Sequence, residues 1–382
     1  MKSKNIGTES LKAHKKLGGK VGTFSKVKLR TMADWSLYYT PGVGAVSTHL
    51  GKHPKDARVL TIKKNTVAVI SDGTAVLGLG DIGPEGALPV LEGKALIFKE
   101  CAGIDAYPIA LATKNIDEIV SIVKAIAPGF GGINLEDISA PRCFEIERRL
   151  IEELDIPVMH DDQNGTAIVV LAGLINACKV TKRSLQSSTI VLNGVGAAGI
   201  GVIRLVHLFA PKAKIIAVDT KGVISKSRSD LHESKQALIR EGVIYAEMEG
   251  GLEAALVGAD VFVGLSKGGI LTEKLIRTMN PSPILFALAN PIPEVMPDIA
   301  RKAGAGVVAT GRSDFPNQVN NALVFPGVFR GALDRRVRNI TDAMKLKAAK
   351  ALAGMILKPH AENIIPTVLN KKVVGTVAAA IR

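Results

Sequence analysis

The chain has 382 residues, of which 47% are hydrophobic, so it can bury sizeable cores in two or three domains. Its net charge of +14 lies at the two ends, because residues 1–30 and 335–382 each carry eight more basic than acidic side chains. Three widely spaced cysteines (Cys101, Cys143 and Cys178) exclude a disulfide framework. No apolar run is long enough to span a membrane. Because residues 1–4 are polar, we expect no signal peptide and a cytoplasmic protein.

The N-terminal part is predicted to alternate short strands with helices. Residues 1–30 are expected to be helical in part, and residues 31–46 to form a loop around Thr40-Pro41-Gly42. Apolar runs over residues 67–70, 76–80 and 95–98 predict three strands, and helical spacing of apolar residues over 116–126 predicts a helix.

Two acidic pairs end two successive strand-like runs. Glu136-Asp137 closes the run 131–135, and Asp161-Asp162 closes the run 156–160. Apolar residues at helical spacing over 142–154 complete a βαβ unit, whose strands should be parallel and could be adjacent. Ligands in open α/β sheets lie beyond the carboxyl ends of the strands, so these carboxylates are expected to converge on Mg²⁺ or Mn²⁺. One aspartate could instead accept a hydrogen bond from a lysine, and His160 is interpreted as a supporting core residue.

A glycine loop follows the acidic pairs. An apolar helix over 166–180, expected between two domains, leads to a strand over 189–192 and then to Gly194-Val195-Gly196-Ala197-Ala198-Gly199 and a helix over 200–209. In such a loop Gly194 allows the tight turn, Gly196 admits the pyrophosphate and Gly199 lets helix and strand pack closely. The backbone amides at the helix N-terminus, those of Ala197 and Ala198 among them, would bind the phosphates.

The next strand, over 215–218, ends at Asp219, which is placed to hydrogen-bond the ribose 2′-hydroxyl and favours NAD, whereas Lys221 leaves NADP open. Further strands are predicted over 261–263, 284–288 and 307–310, and two helices over 342–357 and 364–381. The predicted fold is α/β with two domains: an N-terminal α/β domain over residues 1–162, and a doubly wound Rossmann-like NAD(P)-binding domain with C-terminal helices over residues 163–382. The carboxylates would then line an interdomain cleft.

A metal beside a dinucleotide predicts oxidation of a hydroxy acid that chelates the ion. The reaction needs a base for the alcohol proton, and an acid later. Lys94, in apolar company that could lower its pKa, and Tyr39, in a Pro-Gly loop, are candidates. A lysine at a strand start is usually a solvated flank, however, and a loop tyrosine usually serves packing.

Several motifs, in order along nearly the whole chain, resemble those of the malic enzymes, and particularly of their short prokaryotic form. They are Tyr39-Thr40-Pro41-Gly42-Val43, Leu77-Gly78-Leu79-Gly80-Asp81-Ile82-Gly83, Glu92-Gly93-Lys94, Leu135-Glu136-Asp137, His160-Asp161-Asp162-Gln163-Asn164-Gly165-Thr166, the glycine loop, Phe286-Ala287-Leu288-Ala289-Asn290-Pro291 and Asn320-Asn321-Ala322-Leu323-Val324-Phe325-Pro326-Gly327. The resemblance implies oxidative decarboxylation of L-malate to pyruvate and CO₂, with NAD or NADP and with Mg²⁺ or Mn²⁺. It also implies a homo-oligomer, with a dimer favoured.

The same resemblance implies residue roles. The metal ligands would be Glu136, Asp137 and Asp162. The general base would be Lys94 with Asp161 as its neighbouring carboxylate, and the general acid would be Tyr39. Asn290 and Asn321 would orient the substrate carboxylates and the nicotinamide end of the cofactor. One departure is Ala75, which stands where larger members carry an arginine that clamps a substrate carboxylate.

Two other functions fit parts of the sequence. A metal-independent amino-acid dehydrogenase also pairs a lysine with a dinucleotide domain. A basic nucleic-acid-binding or regulatory protein with a vestigial cofactor fold would explain the terminal charge, but only Phe24 interleaves the N-terminal charges and no nucleic-acid motif is present. We therefore expect a small-molecule substrate and neither a nucleic-acid nor a membrane partner.

Overall fold

A computed structural model describes residues 6–382, so the polar residues 1–4 lie outside the described residues. The first sheet consists of strands β1 (Thr66–Ser71), β2 (Asp105–Ala110), β3 (Gly132–Leu135) and β4 (Val158–His160). Its strands are all parallel, in the order β2-β1-β3-β4. The helices of this part are α1 (Ile6–Leu17), α2 (Met32–Tyr38), α3 (Gly42–Lys52), α4 (Ala57–Leu60), α5 (Gly83–Ala102), α6 (Ile116–Ile126) and α7 (Arg142–Glu153).

The predicted βαβ unit is confirmed as β3-α7-β4. Its two strands are parallel neighbours, with Ile133 opposite Val158 and Leu135 opposite His160. Since Glu136 follows Leu135 and Asp161 follows His160, the register sets the two acidic pairs side by side at one edge of the sheet.

Three predictions in the N-terminal part are wrong. Residues 95–98 belong to α5, because they continue a buried helical face that begins at Ala87 and Leu91. Residues 76–80 form a tight turn instead of a strand, closed by a hydrogen bond from the Val76 N–H to the Gly80 carbonyl (3.0 Å) and with Leu77 at φ 49°. Residues 31–46 contain the whole of α2 and the start of α3, with a loop only around Thr40-Pro41.

The second sheet has the order β10-β9-β8-β5-β6-β7 and is parallel except for β7. Its strands are β5 (Thr189–Asn193), β6 (Lys214–Asp219), β7 (Gly222–Val223), β8 (Val261–Gly264), β9 (Ile284–Ala287) and β10 (Val307–Thr310). The helices are α8 (Asp161–Val180), α9 (Ala197–Phe209), α10 (Glu233–Arg240), α11 (Leu252–Leu256), α12 (Glu273–Ile276), α13 (Pro297–Lys302), α14 (Phe325–Arg335), α15 (Asp342–Gly354) and α16 (Lys372–Ala380). The α/β fold with a doubly wound sheet is therefore confirmed. The last helix starts later than predicted, since Pro366 lies in the segment before it.

Helix α8 connects the two sheets, and its first turn carries Asp161 and Asp162. The predicted division between residues 162 and 163 falls inside this turn. The sheets also share one hydrophobic core, in which the ring centroid of Phe98 lies 4.8 Å from that of Phe325 and 5.5 Å from that of Phe329. By contrast, no described residue before Thr66 is buried, and none of the helices in residues 6–382 is long and apolar enough to cross a membrane.

Candidate active site

Lys94 lies on the buried face of α5, between Leu91 and Phe98, and is not the solvated flank that a strand start would provide. Its Nζ lies 2.9 Å from Glu136 Oε1 and donates to Asp161 Oδ2. The ring of Phe325 lies 4.6 Å from the same nitrogen, close enough for a cation–π contact. The lysine and two of the predicted acidic residues therefore meet in a dry environment.

The pKa values at this cluster show an excess of negative charge. Burial alone would lower the pKa of Lys94, but the charges of Asp161 and Glu136 outweigh it and hold that pKa above its ordinary value. Burial raises the pKa of Asp161 to about 6 and the pKa of Asp137 to about 7, and it also raises the pKa of Glu136. The charge of Asp162 raises all three carboxyl pKa values further. One ammonium does not neutralise these carboxylates, so the cluster is suited to a further cation.

Glu136, Asp137 and Asp162 each offer one carboxylate oxygen, and these three atoms lie within 4.8 Å of one another. Asp137 Oδ2 is buried without a hydrogen-bond partner among the described residues, as expected for an atom that faces an ion. The Asp137 N–H donates to Asp162 Oδ2 (2.8 Å), and Asn134 Nδ2 donates to Glu136 Oε2 (3.1 Å), which fixes two of the carboxylates. An all-oxygen set of this kind fits a hard divalent ion such as Mg²⁺ or Mn²⁺.

Glu147 holds the start of α8 through hydrogen bonds. Its buried carboxylate accepts hydrogen bonds from the His160 N–H (2.7 Å), from Asn164 Nδ2 (2.8 Å) and from Gln163 Nε2. These three donors bracket Asp161 and Asp162 in sequence. The prediction from sequence missed Glu147. A signal was present, because Glu147 is the one acidic residue on a helical face otherwise formed by Cys143, Ile146 and Leu150. A buried acid in such a position is expected to accept hydrogen bonds.

The glycine loop lines the same cavity as the carboxylates, a cleft of about 630 Å³. Gly194 has φ 107°, and a Cβ on Gly199 would lie 2.0 Å from the Gly194 carbonyl oxygen, so both positions require glycine. A Cβ on Gly196 would meet open space, which is the room that a pyrophosphate needs next to the N-terminus of α9. Ala197 and Ala198 begin that helix and line the cavity. Asn290 and Asn321, from other segments, also line it.

Asp219 ends β6 as predicted, but its carboxylate is already surrounded by donors. It accepts from Arg228 Nη1 (2.8 Å), from Lys235 Nζ (2.6 Å) and from the Lys221 N–H (2.9 Å). Burial alone would raise the pKa of Asp219, but the hydrogen bonds from Arg228 and Lys235 hold this pKa below its ordinary value. A ribose hydroxyl would have to share this carboxylate with two cations, which weakens the argument for NAD from Asp219 alone.

Gly194, Asp161 and Asp219 are not among the residues that line the cavity, although Asp161 accepts a hydrogen bond from Lys94, which does line it. Tyr39 does not line the cavity either. It is 61% exposed at the end of α2, and its ring contacts only Trp35 among the aromatic side chains described (centroids 6.5 Å apart). Ala75 does line the cavity. Among the described residues that line it, Lys94 is the only cation, so no second lysine or arginine of that lining takes the position of the absent arginine.

A doubly wound dinucleotide-binding sheet, joined at an acid-lined cavity to a smaller parallel sheet, defines a two-domain NAD(P)-dependent oxidoreductase. A family model described as "Malic enzyme, NAD binding domain" matches residues 163–382, and one described as "Malic enzyme, N-terminal domain" matches residues 19–115 and 112–151. The chain belongs to the malic enzyme family, which is the family that its motifs resemble.

Similar proteins agree with this assignment. The chain is 52% identical to a NAD-dependent malic enzyme of Geobacillus stearothermophilus, over 99% of this chain and 78% of that protein. It is 49% identical to a bifunctional malic/malolactic enzyme of Bacillus subtilis, over 99% of this chain and 92% of that protein. The crystal structure of a NAD-dependent malic enzyme from Thermotoga maritima matches with a TM-score of 0.94 at 47% identity, covering 97% of this chain and 98% of that one.

Proposed function

We propose that this protein catalyses the oxidative decarboxylation of L-malate to pyruvate and CO₂ with reduction of NAD⁺, and that it also accepts NADP⁺. The observation that carries the proposal is that the carboxylate triad, the buried Lys94 and the glycine loop meet in one cavity. The family's named relatives, NAD- and NADP-dependent malic enzymes, support the same reaction.

Glu136, Asp137 and Asp162 would hold Mg²⁺ or Mn²⁺. When bound, such an ion polarises the oxygen that becomes the ketone and stabilises the negative charge that develops on it during decarboxylation. Lys94 Nζ takes the proton of the C2 hydroxyl as hydride leaves C2. The pKa of Lys94, which the carboxylates raise in the ion-free protein, would fall once their charge is neutralised. Asp161 keeps the ammonium in place, and Asn290 and Asn321 orient the substrate carboxylates and the nicotinamide.

The general acid, Tyr39, protonates C3 of the enol form of pyruvate, and it reaches the cavity from a second copy of the chain. Two observations support this part of the proposal. Tyr39 lies outside its own cavity on a segment without buried residues, where Met32 and Leu37 expose 79% and 63% of their surface. Leu77 at the cavity and its neighbour Leu79 are also exposed, at 61% and 67%. Apolar surfaces of this kind mark protein interfaces, so the proposed active unit is a homodimer.

Complementation between two inactive variants tests the shared site. Lys94→Ala lacks the base and Tyr39→Phe lacks the acid, so each homodimer should be inactive. If Tyr39 serves the partner's cavity, a mixed dimer contains one intact site, and an equal mixture should recover about a quarter of wild-type activity. If Tyr39 served its own subunit, no mixed dimer would contain an intact site, and the mixture would stay inactive.

The reaction itself is tested by NADH formation from L-malate with Mn²⁺ and after EDTA treatment. Loss of turnover in EDTA is expected here, whereas a metal-independent amino-acid dehydrogenase would keep its activity. Tyr39→Phe should still reduce added oxaloacetate while pyruvate formation from malate falls by about 10²–10⁴-fold. If both activities fell together, Tyr39 would not have the separate late role proposed.

Two broader assignments belong to the same proposal. The substrate and metal domain covers residues 1–162 and the NAD(P)-binding domain residues 163–382, with α8 contributing to both. The proposed location is the cytoplasm, which is consistent with three cysteines that are all free of disulfides.

A further inference from the structure

A small cavity with cationic walls lies away from the active site, at the C-terminal end of α14. Its volume is about 130 Å³, and it shares no lining residue with the active-site cavity. Its lining residues, here called the cationic pocket, are Arg58, Lys63, Lys64, Arg330, Leu333, Asp334 and Arg336. Asp334 is the only acid among these lining residues.

The protein itself neutralises little of this charge. Lys64 and Arg336 make no side-chain hydrogen bond or ion pair within the described part of the chain. Arg58 donates only to the Asp155 carbonyl (3.3 Å), and Lys63 only to backbone carbonyls. Arg330 pairs with Asp334 (2.5 Å), yet its Nε is buried without a partner among residues 6–382.

Electrostatics at the pocket are unfavourable in the ligand-free protein. Burial lowers the pKa of Arg58, and the charge of Arg336 lowers this pKa further, although Asp155 opposes both effects. Burial and the charge of Arg58 also lower the pKa of Lys63, again against the opposing charge of Asp155. Like charges that are half removed from water are stabilised by an anion that binds between them.

We propose that the cationic pocket binds a small, doubly charged oxyanion, a phosphate group or a dicarboxylate. Guanidinium groups bind both by paired hydrogen bonds, and 130 Å³ accommodates only a few heavy atoms, since one water occupies about 30 Å³ in the liquid. The free carbonyls at the C-terminal end of α14 repel an anion, but they are equivalent to only about half a negative charge. The five basic side chains that line the pocket outweigh this repulsion.

The pocket is connected to the active site through α14. This helix begins at Phe325, which lines the active-site cavity and contacts Lys94, and it ends at Arg335 beside the pocket. Arg330 Nη1 also donates to Asn65 Oδ1 (2.7 Å), next to the start of β1. An anion that pulls on Arg330 would therefore shift α14 relative to the first sheet, and we expect occupancy to change the KM for malate.

The test compares the double variant Lys64→Gln/Arg336→Gln with the wild-type chain. Neither side chain has a partner to lose among the described residues, so folding should be preserved, and equal urea midpoints would verify this. The control is Lys274→Gln/Lys358→Gln, which removes two exposed charges elsewhere. Inorganic phosphate and succinate are titrated separately by calorimetry at an ionic strength fixed with NaCl.

We expect the wild type and the control to bind at least one of the two anions, and the double variant to bind it at least about tenfold more weakly. A difference between the wild type and the double variant for phosphate alone, or for succinate alone, would identify the kind of ligand. The site is refuted if the wild type binds neither anion, or if the double variant binds as tightly as the control. The link to malate rests on the proposed function, and anion binding that leaves the KM for malate unchanged would refute that link while keeping the site.

Discussion

Replacing Glu147 with glutamine should weaken metal binding, although Glu147 is not in the proposed ligand set. The carboxylate holds the His160 N–H and Asn164 Nδ2 on Oε1, and Gln163 Nε2 on Oε2. A glutamine keeps one acceptor oxygen and turns an NH₂ group toward another amide donor. The turn that carries Asp161 and Asp162 therefore loses at least one charge-assisted hydrogen bond.

The expected cost follows from the number and kind of these contacts. One hydrogen bond to a charged group contributes about 1.5–3 kcal/mol, so the free energy of unfolding should fall by about 2 kcal/mol. Changes in groups that orient metal ligands typically lower metal affinity by about 10–100-fold, and we expect Glu147→Gln to lie in that range.

Electron paramagnetic resonance of free Mn²⁺ during a titration measures this affinity without requiring turnover. The matched control is Glu145→Gln on the same helix, because Glu145 pairs only with the exposed Arg148 and such pairs contribute less than about 1 kcal/mol. If Glu147→Gln and Glu145→Gln bound Mn²⁺ equally well, the idea that Glu147 positions the metal-binding turn would be refuted.

Three further predictions concern the metal and the dinucleotide. Asp162→Asn should abolish high-affinity Mn²⁺ binding, and an unchanged titration would remove Asp162 from the ligand set. Gly199→Ala should lower the free energy of unfolding by about 1–3 kcal/mol, because its Cβ would lie 2.0 Å from the Gly194 oxygen, whereas Gly196→Ala should keep stability and weaken NADH binding measured by fluorescence. Equal effects of the two variants on stability and on NADH binding would contradict these separate roles of Gly199 and Gly196. We expect Arg228, one of the two cations at Asp219, to contact the 2′-phosphate of NADP⁺. Arg228→Gln should therefore lower kcat/KM for NADP⁺ more than for NAD⁺, and an equal loss with both cofactors would argue against this contact.

The sequence was most informative where the signal is local. The acidic pairs, the glycine loop and Asp219 follow strands whose apolar runs are short and clear, and strand ends of a parallel sheet meet at one edge. Residues 95–98 misled the prediction because a four-residue apolar run suits a strand and a helix equally well. That error hid the most useful property of Lys94, its place on a buried helical face.

Other features of the site depend on contacts between distant segments. Glu147 acts through donors at positions 160, 163 and 164, and nothing near it in sequence names those partners. Tyr39 lies in a family motif, and the motif alone suggests that it belongs to the cavity of its own chain. The structure shows instead that Tyr39 is on an N-terminal segment in which no described residue is buried. The cations that pair with Asp219 are Arg228 and Lys235, and the glycine-loop motif does not include these positions.

The core shared by Phe98, Phe325 and Phe329 has a consequence for how this chain can be divided. Family comparison matches two regions as if they were modules, but a cut after residue 162 would split α8 and leave the Phe98 ring without its partners. We therefore expect neither half to fold independently. Exchanging the dinucleotide-binding half for that of a distant dehydrogenase would therefore require redesign of the contacts between Phe98, Phe325 and Phe329 as well as a new cofactor loop.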